Sequence, residues 1–88
     1  MRQVVTVTEV EGEGLESFLN QNVVLFCLNY IYTGKLVGIN DTFVKLEDPS
    51  IVYETGPFST PGYKDAQKLH VKSFYVQTAA IESFGASK

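Results

Sequence analysis

The sequence predicts a mainly β protein made of one small domain, and three observations carry that prediction. From Asn22 to Phe84 the chain is rich in β-branched and aromatic residues that alternate with polar ones in short runs. Turn-forming residues punctuate those runs at Asn29-Tyr30, Gly38 to Thr42, Asp48-Pro49-Ser50 and Gly56 to Asp65. With 88 residues, 44% of them apolar and 19% charged, the chain has the size and balance of a single domain.

The elements follow in order. Val4 to Val10 reads V-V-T-V-T-E-V, a β-branched alternation that predicts an N-terminal strand or arm, broken by Glu11-Gly12-Glu13-Gly14. Leu15, Phe18 and Leu19 recur at helical spacing between Gly14 and Asn20, which predicts a helix of about two turns with acidic residues near its start. So short a helix must dock on something to persist. Five strands are expected beyond it: 22–29, 31–39, 43–48 with a continuation or bend at 51–55, 67–76, and 77–84 after a kink.

The first of these strands is apolar on both faces, with Val24, Phe26 and Leu28 pointing one way and Val23, Leu25 and Cys27 the other. An antiparallel strand with one wet face would alternate instead, so the second face needs a cover. The short helix is the favoured lid, with the N-terminal strand or a neighbouring copy as alternatives.

Seven basic against ten acidic side chains give a net charge of −3, which argues against a general binder of polyanions. The imbalance sits in residues 1–20, where Arg2 faces Glu9, Glu11, Glu13 and Glu16, and the remainder is neutral. Apolar runs stop at the six residues Val23 to Leu28, far short of the roughly 20 a membrane helix requires. No membrane partner and a cytoplasmic, reducing location are therefore expected. Cys27 alone forms neither an intrachain disulfide nor a cysteine zinc cage, and in a strand it reads as a small apolar filler. His70 is the sole histidine. Asp41, Glu47, Asp48 and Glu54 sit around turns, where acidic residues serve local hydrogen bonding. No cofactor, metal or enzyme motif is indicated.

The stretch from Phe26 to Asp48, F-C-L-N-Y-I-Y-T-G-K-L-V-G-I-N-D-T-F-V-K-L-E-D, resembles the first motif of the Sm-like (LSm/Hfq-type) family. Leu69 to Val76, L-H-V-K-S-F-Y-V, falls where that family's shorter second motif stands. The resemblance covers about residues 14–84. It implies a short N-terminal helix and a strongly bent, five-stranded antiparallel open barrel of SH3-like type. Residues 1–13 are then an extra strand or arm and 85–88 a tail. It also implies copies joined edge to edge in a closed ring, pentamer to heptamer, with Leu69–Val76 of one meeting Thr78–Phe84 of the next. Ring closure suits a small open barrel, because it covers two strand edges that would otherwise aggregate. Gly34 and Gly38 mark a sharp bend or a close backbone approach, with strand curvature alone as the simpler account.

Rings of this family commonly bind single-stranded RNA at the inner rim, stacking a base on a side chain and reading its edge with an asparagine. Carried over from Gly34, the stacking position falls on Thr42, the asparagine position on Val44 and the supporting basic position on Lys72. The acidic residue that opens the turn becomes Asn40 or Asp41, the second motif's glycine becomes Ser73, and Tyr30 stands where a glycine is usual. A threonine has no π-face and a valine no amide, so weak RNA binding or altered specificity follows. Phe43 beside Thr42 either takes over the stacking or is a core aromatic of an alternating strand.

Lys68, His70 and Lys72 alternate with Leu69, Val71 and Ser73, which predicts three basic groups on one strand face. Repeated around a ring they would form a phosphate-binding collar; singly they are a solvated face with edge-guarding lysines. The candidate RNA contacts are thus Asn40, Asp41, Thr42, Phe43, Lys68, His70, Lys72 and Ser73. The competing expectation is a protein-interaction scaffold that uses the acidic arm and the 56–65 loop, whose Phe58 and Tyr63 either anchor a partner or fold back.

Overall fold

The computed structural model describes residues 14–57 and 59–87; the strand expected at Val4–Val10 and the loop residue Phe58 lie outside them. A 3₁₀ turn at Leu15–Phe18 comes first, shorter than the two-turn helix expected. Its end has a local cause. Leu19 is already extended, and Asn20 takes a left-handed φ of 69°. The Asn20 N–H then donates to the Leu36 carbonyl at 2.6 Å, and the Leu36 N–H to the Gln21 carbonyl at 2.9 Å, so the chain is drawn into the sheet.

Six strands follow among the described residues: β1 Asn22–Cys27, β2 Ile31–Ile39, β3 Phe43–Glu54, β4 Asp65–Lys68, β5 Phe74–Gln77 and β6 Ile81–Ala86, with a second 3₁₀ turn at Thr78–Ala80 before β6. They form one antiparallel, open sheet in the order β4-β3-β2-β1-β6, with β5 also on β3. The chain is therefore mainly β, as its alternation predicts.

The runs 43–48 and 51–55 are a single strand carried through Pro49, and the expected strand 67–76 is two. Both outcomes have one origin. Between Thr33↔Ser50 and Lys35↔Glu47 the register slips, with an extra β3 residue opposite Gly34. Asp48 sits there with a left-handed φ of 48°. This bulge bends β3 in the middle, so no one straight strand can follow its outer edge. β4 pairs with Ser50 to Glu54, and β5 with Phe43 to Leu46. Between them the Leu69 N–H donates to the Pro49 carbonyl (2.8 Å) and the Val71 N–H to the Leu69 carbonyl (2.9 Å), a tight turn in place of a ladder.

Gly34 has a packing reason beyond curvature. A Cβ there would stand 3.1 Å from the Glu47 carbonyl oxygen and 3.3 Å from Pro49 Cα, so the bulged backbone leaves no room for one. At Gly38 the nearest atom to such a Cβ is Lys45 Cβ at 3.5 Å, an ordinary contact, and a second slip between Leu36 and Gly38 bends β2.

Val23, Leu25, Leu36, Val44, Leu46 and Val76 make the core, with Leu15, Phe18, Phe74 and Ile81 packed against it. The short turn packs on the core side of the sheet, that of Val23 and Leu25, where Phe18 also meets Phe84 of β6 edge-on at 6.3 Å. Of the doubly apolar β1, Val23, Val24 and Leu25 are buried, whereas Leu28 falls past the strand and is 70% exposed.

Candidate nucleic-acid interface

The turn between β2 and β3 contains three of the candidate residues, Asn40, Asp41 and Thr42, and Phe43 opens β3 directly after it. Asn40 organises it: its Oδ1 accepts the N–H groups of Thr42 and Phe43, each at 2.8 Å, and its own N–H donates to the Phe43 carbonyl at 2.9 Å. An Asn in this place is a side-chain mimic of a backbone turn. Both lone pairs of that oxygen are thereby committed.

The segment returning to this turn is not the expected second motif. It is the Thr78–Ala80 turn: the Thr78 N–H donates to the Thr42 carbonyl at 2.9 Å, and Thr78 Oγ1 donates to the Asp41 carbonyl at 2.8 Å, with the Thr42 carbonyl a further 3.3 Å neighbour. Sequence reasoning missed Thr78. The available signal was a hydroxyl residue followed by Ala79-Ala80, which interrupts the β-branched pattern between Val76 and Ile81.

Lys68, His70, Lys72 and Ser73 lie elsewhere. The expectation that three basic groups share one strand face is corrected, because the strand ends at Lys68 and residues 69–73 turn. Lys68 pairs with Ser50 in the ladder and places its Nζ 3.6 Å from Asp48. His70, Lys72 and Ser73 are exposed. Phe43 pairs with Gln77 and Ser50 with Lys68, so Lys68 stands beyond the bulge of β3 from the turn, while Ser73 adjoins Phe74, which pairs with Leu46, so Lys72 and Ser73 come in the connection between the two.

Position 44 faces inward: Val44 is fully buried, with 0% exposure. Phe43 correspondingly faces outward at 39%, so it is not a core aromatic. On that outer face Phe43 meets Tyr75 edge-on with ring centroids 6.2 Å apart, and Lys45 Nζ lies 5.9 Å from the Tyr75 ring centre. The three come from alternate rungs, Phe43↔Gln77 and Lys45↔Tyr75, on either side of Val44↔Val76, and so share one face.

A cleft of about 230 Å³ opens beyond the Cys27 end of β1, lined by Cys27–Tyr30, Tyr32, Phe74–Gln77 and Ala80. Tyr32 and Phe74 stack tilted at 5.1 Å. Burial holds the Cys27 thiol above its ordinary range, and Tyr32 is raised by burial first and then by the neighbouring Cys27 and Tyr30. A thiol so held is a poor nucleophile. Among the described residues no cluster of three or more His, Cys, Asp or Glu side chains could hold a metal, and no helix is long and apolar enough to cross a membrane.

In the 56–65 loop Tyr63 folds back, its hydroxyl 3.1 Å from Ser87 Oγ, and Lys64 approaches Glu54 at 3.5 Å. The outer side of β4 and β5 and the outer side of β6 remain the two unpaired borders of the sheet among the described strands. Comparison of the chain with family models, curated proteins and solved structures finds no match to any of them.

Proposed function

We propose that the chain is an Sm-like subunit that closes with copies of itself into a ring, pentamer to heptamer, and that this ring binds single-stranded RNA with a base preference altered from the family's. The observation that carries the reading is the path of the last three elements. β5 lies on the outer edge of β3, the Thr78–Ala80 turn crosses over, and β6 lies on the outer edge of β1. Such a path leaves β4 and β5 bare at one border of the sheet and β6 at the other, borders suited to pair with each other between copies. It also ties the 40–43 turn to Thr78 at one rim, which supports a preorganised contact surface there.

The burial of Val44 and the double use of Asn40 Oδ1 support the altered preference, since Val44 has no side-chain amide and the Asn40 acceptor is taken, which leaves only the Asn40 Nδ2 donors for a base edge. The same observations favour a second reading, an assembly scaffold that has kept the fold and lost the RNA pocket. Light scattering gives the assembly mass, and anisotropy of labelled U-rich and A-rich RNAs at low and moderate salt separates the two. A closed ring that binds RNA in a salt-dependent way supports the first reading. A ring without RNA binding at either salt leaves the scaffold, and a monomer removes both.

A further inference from the structure

The outer sheet face beside the 40–43 turn has the composition of a base-stacking surface. Phe43 and Tyr75 are 39% and 58% exposed, stand edge to face at 6.2 Å, and are fixed on neighbouring strands rather than on loops. Their inward neighbours Val44, Leu46 and Val76 are core residues, so the face cannot rotate without unpacking the interior. Lys45 sits over Tyr75 at 5.9 Å and makes no ion pair among the described residues. Two residues along β3 from Lys45, Glu47 stands opposite Lys35 of β2. The face therefore offers two π-surfaces, the Lys45 cation, and the exposed amide of Gln77 opposite Phe43.

Resting on the RNA reading above, we infer that Phe43, Tyr75 and Lys45 form a platform on which unpaired bases of single-stranded RNA stack, with Lys45 meeting the phosphate. The chemistry selects that class of ligand. A stacked duplex has no free base faces to offer, whereas splayed bases do, and aromatic rings accept any of them. A single cation per copy gives a shallow dependence on salt for each contact, with a logarithmic slope of about 0.7 per phosphate for single strands. The platform thus differs from a basic collar at Lys68, His70 and Lys72, which would be steep in salt and indifferent to aromatic rings.

The test uses the full chain in its native assembly, with a fluorescent single-stranded RNA and its duplex as probes. Tyr75→Leu and Phe43→Leu keep apolar bulk and remove the π-faces. Each is expected to weaken single-strand binding about 5- to 100-fold, the loss of one stacked base, while Lys68→Ala with Lys72→Ala leaves it within about twofold. Light scattering on each variant reports whether assembly is intact. Ultraviolet crosslinking of the wild-type chain to a 4-thiouridine RNA gives an independent readout, and adducts on the peptides containing Phe43 or Tyr75 support the platform. RNA binding that survives both leucine variants, or adducts confined to residues 68–73, overturns the platform and leaves the RNA reading standing. A wild-type assembly that binds no single-stranded RNA at low salt overturns both.

Discussion

Replacing Gly34 by alanine puts a number on the bend in β3. The new Cβ would lie 3.1 Å from the Glu47 carbonyl oxygen, 3.1 Å from Leu46 Cβ and 3.3 Å from Pro49 Cα. Two of these neighbours are backbone atoms inside the bulge, where Asp48 already holds a left-handed φ, so relief requires β3 to shift outward by several tenths of an ångström. Comfortable carbon contacts begin near 3.5 Å. Forcing an extra methyl into a filled site costs about 1–3 kcal/mol. The lower entropy of the unfolded alanine chain returns about 0.4–1 kcal/mol. Taken at their midpoints the two leave a net loss of about 1.3 kcal/mol, or a fall in Tm of roughly 5–10 °C for a domain of this length. Gly38→Ala is the internal control, because its Cβ would meet only Lys45 Cβ at 3.5 Å, and its Tm should stay level or rise. Thermal denaturation by circular dichroism at one fixed subunit concentration provides the assay, since assembly couples Tm to concentration. Equal shifts in the two variants, or a Gly34→Ala Tm within a degree of wild type, would refute the close-approach argument.

Asn40→Ala removes an acceptor for two backbone N–H groups and should cost about 1–2 kcal/mol in chemical denaturation, whereas Asn40→Asp keeps the acceptor and should lie near wild type; equal losses would mean that the turn holds without its side chain. Cys27 and Tyr32 both ionise later in the folded chain than in the unfolded one, because burial disfavours their anions and, at Tyr32, Cys27 and Tyr30 add to the effect. The folded state therefore binds the extra protons, its stability is intact below about pH 9 and falls as pH rises through the raised values. A Tm that stays flat from pH 9 to 11 counts against this, and Cys27→Ala should make the fall shallower.

Much of the sheet was legible because alternation reports local burial directly. β2 occupies 31–39 as its pattern indicates, and β1 and the start of β3 match at Asn22 and Phe43. Lys68 to Val76 misled for the opposite reason. Its alternation is as regular as that of β2, but strand continuity there is decided by the edge it must follow, and that edge is broken by a bulge some twenty residues earlier at Asp48-Pro49. The candidate site suffered the same way. Asn40 to Phe43 announced a turn through its own residue types, whereas Thr78 acquires its role only from the crossover that brings it to Asp41 and Thr42. Phe43 was ambiguous in sequence because an aromatic at the start of an alternating strand fits either face, and the burial of Val44 decides it.

The ladder between β1 and β6 also sets an order of events during folding. β1 with β2, and β2 with β3, are joined by short turns and can pair as soon as they exist, but Val23 must wait for Ala86, which comes after every other described strand. Closing so long a loop is slow, and during synthesis the free side of β1, with its buried-type residues Val23, Val24 and Leu25, stands without its partner until the last strand has emerged. The nascent chain is then at its most prone to pair with another, and loss of even the final strand would make that transient exposure permanent.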